Sequence, residues 1–337
     1  MTTTAVYVSN ADSGEISVLH LAAGSGALTP VQRVEVAGIV MPLALSPDRR
    51  FLYAARRSEP WAALSFAIDP ADGTLAPLGE APLPHSMAYL ATDRSGRFLF
   101  SASYGGHQIA VSPIAADGRV QPAQQALPTG PNAHAIQADP SNRFVFSTSL
   151  GGGVVTQWRF DAATGRLTPN DVAALAPHAG ASPRHFVFSR DARFVYLIGE
   201  LDAAIDVLAF DAVSGCLRTV QTVSSLPPGF VGTPWAADLH LTPDGRFLYS
   251  SERRSSTFAA FSVDATTGTL APLGHTATEA QPRGFNITPD GGFLIAAGQL
   301  SNRVSVYRID PANGALDKCS DCAVGRNPNW IESLSLA

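Results

Sequence analysis

Six short stretches of the chain share one order of apolar and polar positions. LSPDRRFLY (45–53), TDRSGRFLF (92–100), ADPSNRFVF (138–146), FSRDARFVY (188–196), LTPDGRFLY (241–249) and ITPDGGFLI (287–295) each lead through a polar turn into an apolar run headed by phenylalanine. Aligned on Phe51, Phe98, Phe144, Phe194, Phe247 and Phe293, they recur at intervals of 47, 46, 50, 53 and 46 residues. Pro, Asp and Gly between the two apolar runs favour a tight turn, so each stretch predicts two antiparallel strands. Further along each repeat a period-two run such as RVSVYRID is followed by a turn and a shorter run, ALDKC. Its counterparts LSFAIDPADGTLAPL, WRFDAATGRLTP, LAFDAVSGCLRTV and FSVDATTGTLAPL share a D-x-x-x-G turn. Four short antiparallel strands per repeat of roughly 40–50 residues predict the blade of a β-propeller.

The third and fourth strands occur seven times, beginning with GEISVLHLAAGSGALTP, whereas the inner pair is complete only six times. AVYVSN near the start supplies a lone second strand, and PNWIESLSL near the end supplies a lone first strand. The two halves fit each other. The expected fold is all-β: one seven-bladed propeller domain over residues 1–337, its last blade closed by the N- and C-terminal strands. Closure of that kind leaves no open sheet edge.

Two antiparallel strands joined by a turn place the start of the first and the end of the second on one face, here one mouth of the central channel. Ten residues before each reference phenylalanine stand Met41, Ala88, His134, Arg184, Ala237 and Arg283, with Asn329 at the matching place in the closing strand. Six residues after it stand Arg57, Tyr104, Leu150, Glu200, Arg253 and Gln299. Positions that served packing alone would be uniformly small or apolar. The two longest repeats carry their extra residues in AALAPHAGASPRH and SSLPPGFVGTPWAAD, which open on the same mouth, and repeat proteins gather insertions on their binding face. A polar funnel beside long loops describes a small-molecule pocket. Isolated histidines such as His20 and His178 are expected to be incidental.

Composition narrows the partners. Apolar residues make up 45% and charged residues 15%, with a net charge of −5, which gives no basis for nucleic-acid binding. No run of apolar residues is long enough to span a membrane. The first residues, MTTTAVYVSN, show neither a basic region nor an apolar signal core, and the expected compartment is the cytoplasm. Three cysteines, Cys216, Cys319 and Cys322, are too few for a disulfide framework, and one C-x-x-C pair supplies half the ligands of a structural zinc. Neither a metal nor a cofactor is expected. Oligomeric state is left open.

The mouth chemistry points to an anion. His134 and Glu200 are candidate general acids or bases, and arginines offer forked donors suited to carboxylate or phosphate. G-x-S-x-G, H-E-x-x-H and a phosphate-binding glycine loop are all missing. Such a site suits a step that develops oxyanion charge, such as water attack on an ester or lactone, or the hydration or cyclisation of an unsaturated acid.

These residues and the blocks around them, GASPRHFVF, GELDAAIDV, WAADLHLTPDGRFLY and TEAQPRGFNITPDGGFLIAAGQ, resemble the seven-bladed propeller lactonases. The likeness is greatest to the bacterial propeller-type 6-phosphogluconolactonases and runs from VYVSN to AVGRNPNW. The resemblance implies hydrolysis of a sugar lactone, most of all 6-phosphoglucono-1,5-lactone, in the pentose phosphate pathway. It also implies a catalytic set of one histidine, two arginines and a glutamate, which fall on His134, Arg184, Arg283 and Glu200. Arg57, Arg253 and Gln299 from the mouth column and His185, Trp235 and Asp238 from family-like blocks are the expected substrate-binding positions, the last three together with His240 as residues that shape the site or support those that touch substrate. One position departs: Pro234 precedes Trp235 where the family leads one to expect an arginine, and Arg57 and Arg253 are left to contact a phosphate. The alternatives are a lactonase for an unphosphorylated sugar acid, a muconate-type cyclase and a non-catalytic interaction propeller. The last predicts W-D and G-H dipeptides at repeat spacing, which the chain does not carry.

Overall fold

In the computed structural model, which describes residues 3–336, every helix-or-strand element is a strand, and the strands form seven four-stranded antiparallel sheets. Blades 1 to 6 occupy residues 40–82, 89–128, 133–175, 183–224, 236–277 and 282–323. Blade 7 takes its inner strand, Pro328–Ser335, from late in the chain and its other three, Thr3–Asn10, Glu15–Ala22 and Leu28–Glu35, from early in it. The two halves pair from Thr4 opposite Ser335 to Asn10 opposite Pro328. Each inner strand packs on that of the next blade, and Pro328–Ser335 packs on Val40–Leu45, so the ring closes. The expected architecture is the observed one.

The repeated motif fastens each blade to the next. Every reference phenylalanine opens the second strand of its blade. In blades 2 to 5 its ring covers the glycine that ends the neighbouring D-x-x-x-G turn: Phe144 on Gly215, Phe98 on Gly165, Phe194 on Gly268 and Phe247 on Gly314. A Cβ on Gly215 would lie 2.1 Å from the Phe144 ring, and φ there is +72°, so this place needs glycine on both counts. The preceding arginine lies over the phenylalanine and bonds the same neighbouring turn, as Arg193 does to the Ala265 carbonyl at 2.6 Å and Arg246 to that of Pro311 at 2.8 Å. Two residues on, the buried hydroxyls of Tyr196 and Tyr249 donate to the Gly268 and Gly314 carbonyls at 3.0 and 2.7 Å.

Blade 2 departs from the pattern. Its outermost strand is only Gln125–Pro128 and its outer turn, around Asp117–Gly118, is built differently. The Tyr53 hydroxyl of blade 1, which should find a turn carbonyl there, is buried without a partner.

At the opposite end of the inner hairpins the ladder is broken in six blades. The register shifts by one residue at Met41–Pro42, His134–Ala135, Arg184, Ala237–Asp238, Arg283–Gly284 and Asn329. A β-bulge inserts an unpaired residue and re-aims its side chain. The column ten residues before the phenylalanines is therefore a column of bulges. Hydroxyls on the second strand satisfy the amides this frees: Thr148 accepts from Ala135 N–H at 2.9 Å, and Ser251 from Asp238 N–H at 3.1 Å.

Candidate active site

Glu200 is the centre of the mouth. Its backbone is held by both long loops: its N–H donates to the Ser182 carbonyl at 2.8 Å, and its carbonyl accepts from Ala236 N–H at 2.9 Å. Its carboxylate takes Arg184 Nε at 2.7 Å and Arg253 at 3.1 Å on one oxygen, and the Trp235 indole N–H at 3.3 Å on the other. Arg184 also donates to the Ala237 carbonyl, and Arg253 to those of Trp235 and Ala236 at 3.0 Å each. The Arg253 guanidinium lies 3.8 Å from the Trp235 ring centre, a cation–π stack that fixes its plane. Burial disfavours the Glu200 charge, but Arg184 and Arg253 outweigh it and hold the carboxyl below its usual range.

His134, from blade 3, places Nε2 4.0 Å from Glu200, too far for a hydrogen bond. Its Nδ1 is buried with no partner. Burial, then the charges of Arg184, His185, Arg283 and Arg253, push the imidazole well below its ordinary pKa, so it is neutral at pH 7. The His185 ring lies 5.0 Å from that of His134 and donates from Nδ1 to Asp238 at 2.8 Å. His240 reaches the other Asp238 oxygen at 3.4 Å.

Arg283 and Arg57 complete the set. Among the described residues neither has an ion-pair partner, and Arg283 makes no side-chain hydrogen bond. Burial and then the charges of Arg184, Arg253 and Arg57 depress its pKa, the mark of a cation short of counter-charge. Burial does the same to Arg57, which is held by Ser86 Oγ at 3.1 Å and by Met41 Sδ. Glu252 offers no compensation, since it accepts from the Trp235 and Ser255 amides. Gln299 stands apart, with both ends of its amide engaged by Gln281 and Asn327 on the rim.

Nine of the ten sequence-derived positions thus converge on one mouth or its floor. Missed were Ser86, which orients Arg57, and a floor of Tyr89, Trp330 and Glu332 below His185. Glu332 could have been noticed as a carboxylate inside the apolar closing strand. His178 is not incidental: it bonds Asp202 and Asp206 at 2.9 Å each and pins the first long loop.

The lactonase family of seven-bladed β-propellers matches residues 2–333. The chain belongs to this family. Membership places it among lactonase-class enzymes. It is 44% identical over 331 residues to a 6-phosphogluconolactonase of Pectobacterium carotovorum and 41% identical over 330 residues to one of Serratia proteamaculans, in both cases over 98% of each chain. The solved structure of a periplasmic gluconolactonase of Pseudomonas aeruginosa superposes with a TM-score of 0.93 at 28% identity, covering 99% of this lactonase and 100% of that chain. Among the described residues no helix is long and apolar enough to cross a membrane, and no three His, Cys, Asp or Glu residues are grouped to hold a metal ion.

Proposed function

We propose that the protein hydrolyses a phosphorylated sugar lactone, 6-phosphoglucono-1,5-lactone, to the open acid. The supporting observation is the imbalance of charge at the mouth: the guanidiniums of Arg57, Arg184, Arg253 and Arg283 outnumber the carboxylates, since Glu200 faces Arg184, Arg253 and Arg283, Arg57 lies beside Arg283, and Asp238 is taken up by His185 and His240. A protein of net charge −5 concentrates uncompensated cations here, and a phosphate dianion supplies what they lack. Arg283 and Arg57, whose charges are unpaired, take the phosphate. The guanidinium N–H groups of Arg184 and Arg253 left over from Glu200 and the carbonyls face the carbonyl oxygen as it becomes an oxyanion. Glu200, engaged by two arginines and an indole, orients them rather than accepting a proton.

Likeness to a gluconolactonase supports a second reading, an unphosphorylated sugar lactone as substrate. Acid release from phosphorylated and unphosphorylated lactones, corrected for spontaneous hydrolysis, separates the two. The phosphorylated substrate should show the higher kcat/KM, and Arg283→Lys, which keeps the charge but loses the fork, should abolish most of that preference. Equal or faster turnover of the unphosphorylated lactone would sink the assignment of substrate.

A further inference from the structure

The two imidazoles of the mouth are not equivalent. His185 follows the bulge residue Arg184, so its ring turns onto the channel axis, where it meets His134, Tyr89 and Trp330 at centroid distances of 5.0, 5.1 and 5.6 Å. Three interactions fix its partner Asp238. The backbone N–H is bonded to Ser251, Oδ1 accepts Leu239 N–H at 3.0 Å, and Oδ2 faces His240. Burial opposes the Asp238 charge, but His240 and His185 overcome it and hold the carboxyl far below the usual range.

An ionised carboxylate only accepts hydrogen bonds. The proton between the two groups therefore sits on His185 Nδ1, and in the neutral ring Nε2 is a bare lone pair. That Nε2 is buried and has no hydrogen-bond partner. Leaving a buried acceptor unsatisfied is costly, and a ring kept only for packing would gain nothing from it. His134 has no comparable orienting group, since its Nδ1 is unpartnered and its Nε2 is 4.0 Å from Glu200.

We propose that His185 Nε2 is the atom that takes the proton of the attacking water, and that Asp238 is the residue that positions it; the assignment rests on the lactone hydrolysis proposed above. As the water oxygen bonds to the lactone carbonyl carbon, one water proton passes to Nε2 and the carbonyl electron pair moves onto its oxygen, facing the arginines. When the tetrahedral centre collapses, the bond from that carbon to the ring oxygen breaks. Nε2–H then gives the same proton to the ring oxygen, which leaves as the free hydroxyl. His185 ends neutral, and the new carboxylic acid ionises in water. Arg184 and Arg283, which with Asp238 and His134 face the ring, keep it unprotonated beforehand; its pKa is lowered to about 4, chiefly by burial and by Arg184.

The test measures kcat and KM of the unmodified protein, His185→Gln and Asp238→Asn on the best lactone, with thermal protection by 6-phosphogluconate as the check on the binding site. His185→Gln should lower kcat by roughly 10²–10⁴-fold, the usual worth of a general base. Its KM and product protection should stay near those of the unmodified protein. Asp238→Asn should also act on kcat, because the amide oxygen that stays on His185 Nδ1–H and Leu239 N–H carries no charge to stabilise the imidazolium formed as the water proton arrives. Added imidazole should restore turnover to His185→Gly, which a packing role does not explain. If His185→Gln folds poorly, the Asp238→Asn split of kcat from KM decides. A kcat within tenfold in either variant, with the loss appearing instead in His134→Gln, overturns the assignment of the base alone. An unmodified protein that hydrolyses no lactone overturns the proposed function and this assignment together.

Discussion

At the turn end of the inner hairpins, blades 2 to 5 present the same three groups to their neighbours: an arginine, the phenylalanine beneath it and the glycine beneath that. At the mouth end of those hairpins, consecutive blades of the ring present Met41, Ala88, His134, Arg184, Ala237, Arg283 and Asn329. The first end does one job over and over, so drift at any blade weakens one joint. The second end does one job once, with each blade supplying a different part. Bulges make that division possible, because they uncouple the mouth side chains from the ladder that the turn end keeps regular.

The largest effect is expected where both roles meet, at Arg184. Arg184→Met removes a donor from Glu200 and leaves that carboxylate buried with half its support. Lactone turnover should fall by roughly 10³-fold, and denaturant unfolding should show a loss of about 3–5 kcal/mol. Gly215→Ala tests the turn end alone. The left-handed backbone costs about 1–2 kcal/mol and the clash with Phe144 about 1–3 kcal/mol more, while kcat per folded molecule stays unchanged. A change in kcat would mean that the two ends are coupled.

Glu200→Gln is expected to be milder, about tenfold in kcat, with tighter binding of the acid product as one negative charge leaves the mouth. A fall beyond 10²-fold would make Glu200 the base. The same variant has a signature in acid. The arginines hold the folded Glu200 pKa below its unfolded value, so its stabilisation is complete above about pH 4.3 and is lost as pH falls through the folded pKa. Denaturation midpoints of the unmodified protein should show that loss, and those of Glu200→Gln should not.

The smallest effect belongs to the loop anchor. Burial opposes the His178 charge, but Asp202 and Asp206 raise its pKa overall. Its contribution is therefore full below about pH 6.5 and fades as pH rises through the raised value. Proteolytic cleavage within residues 176–182 should quicken over that range, and His178→Ala should cleave at one rate throughout.

Repetition is why the fold was legible: six copies of the inner turn average away the accidents of any one, and the closing strands were found by what each half lacked. The mouth columns were legible because strand geometry carries a fixed offset from a fixed reference. A bulge spoils that offset by one residue. The column thus gave Ala237, whereas the side chain that reaches the site is Asp238, found only through family-like neighbours. Spacing also ranked Arg184, Arg253 and Arg283 alike, and only packing shows that two hold Glu200 while the third stands free. Tyr89, Trp330 and Glu332 escaped notice because they lie deeper in the channel, among strand residues whose pattern reads as core.

Blade 7 also sets a timetable. Asn329 lies 320 residues after Ser9, the residue it bonds. At ~5–20 residues per second, a ribosome makes the inner strand about 15–60 s after the strand it must cover. For that interval the border of Thr3–Asn10 has no partner strand, and Val6 and Val8, which in the finished ring pack on Phe293, Ile295 and Ile331, lack that cover. The nascent protein must stay soluble with its seam open, and anything that pairs with that border first competes with its own last blade.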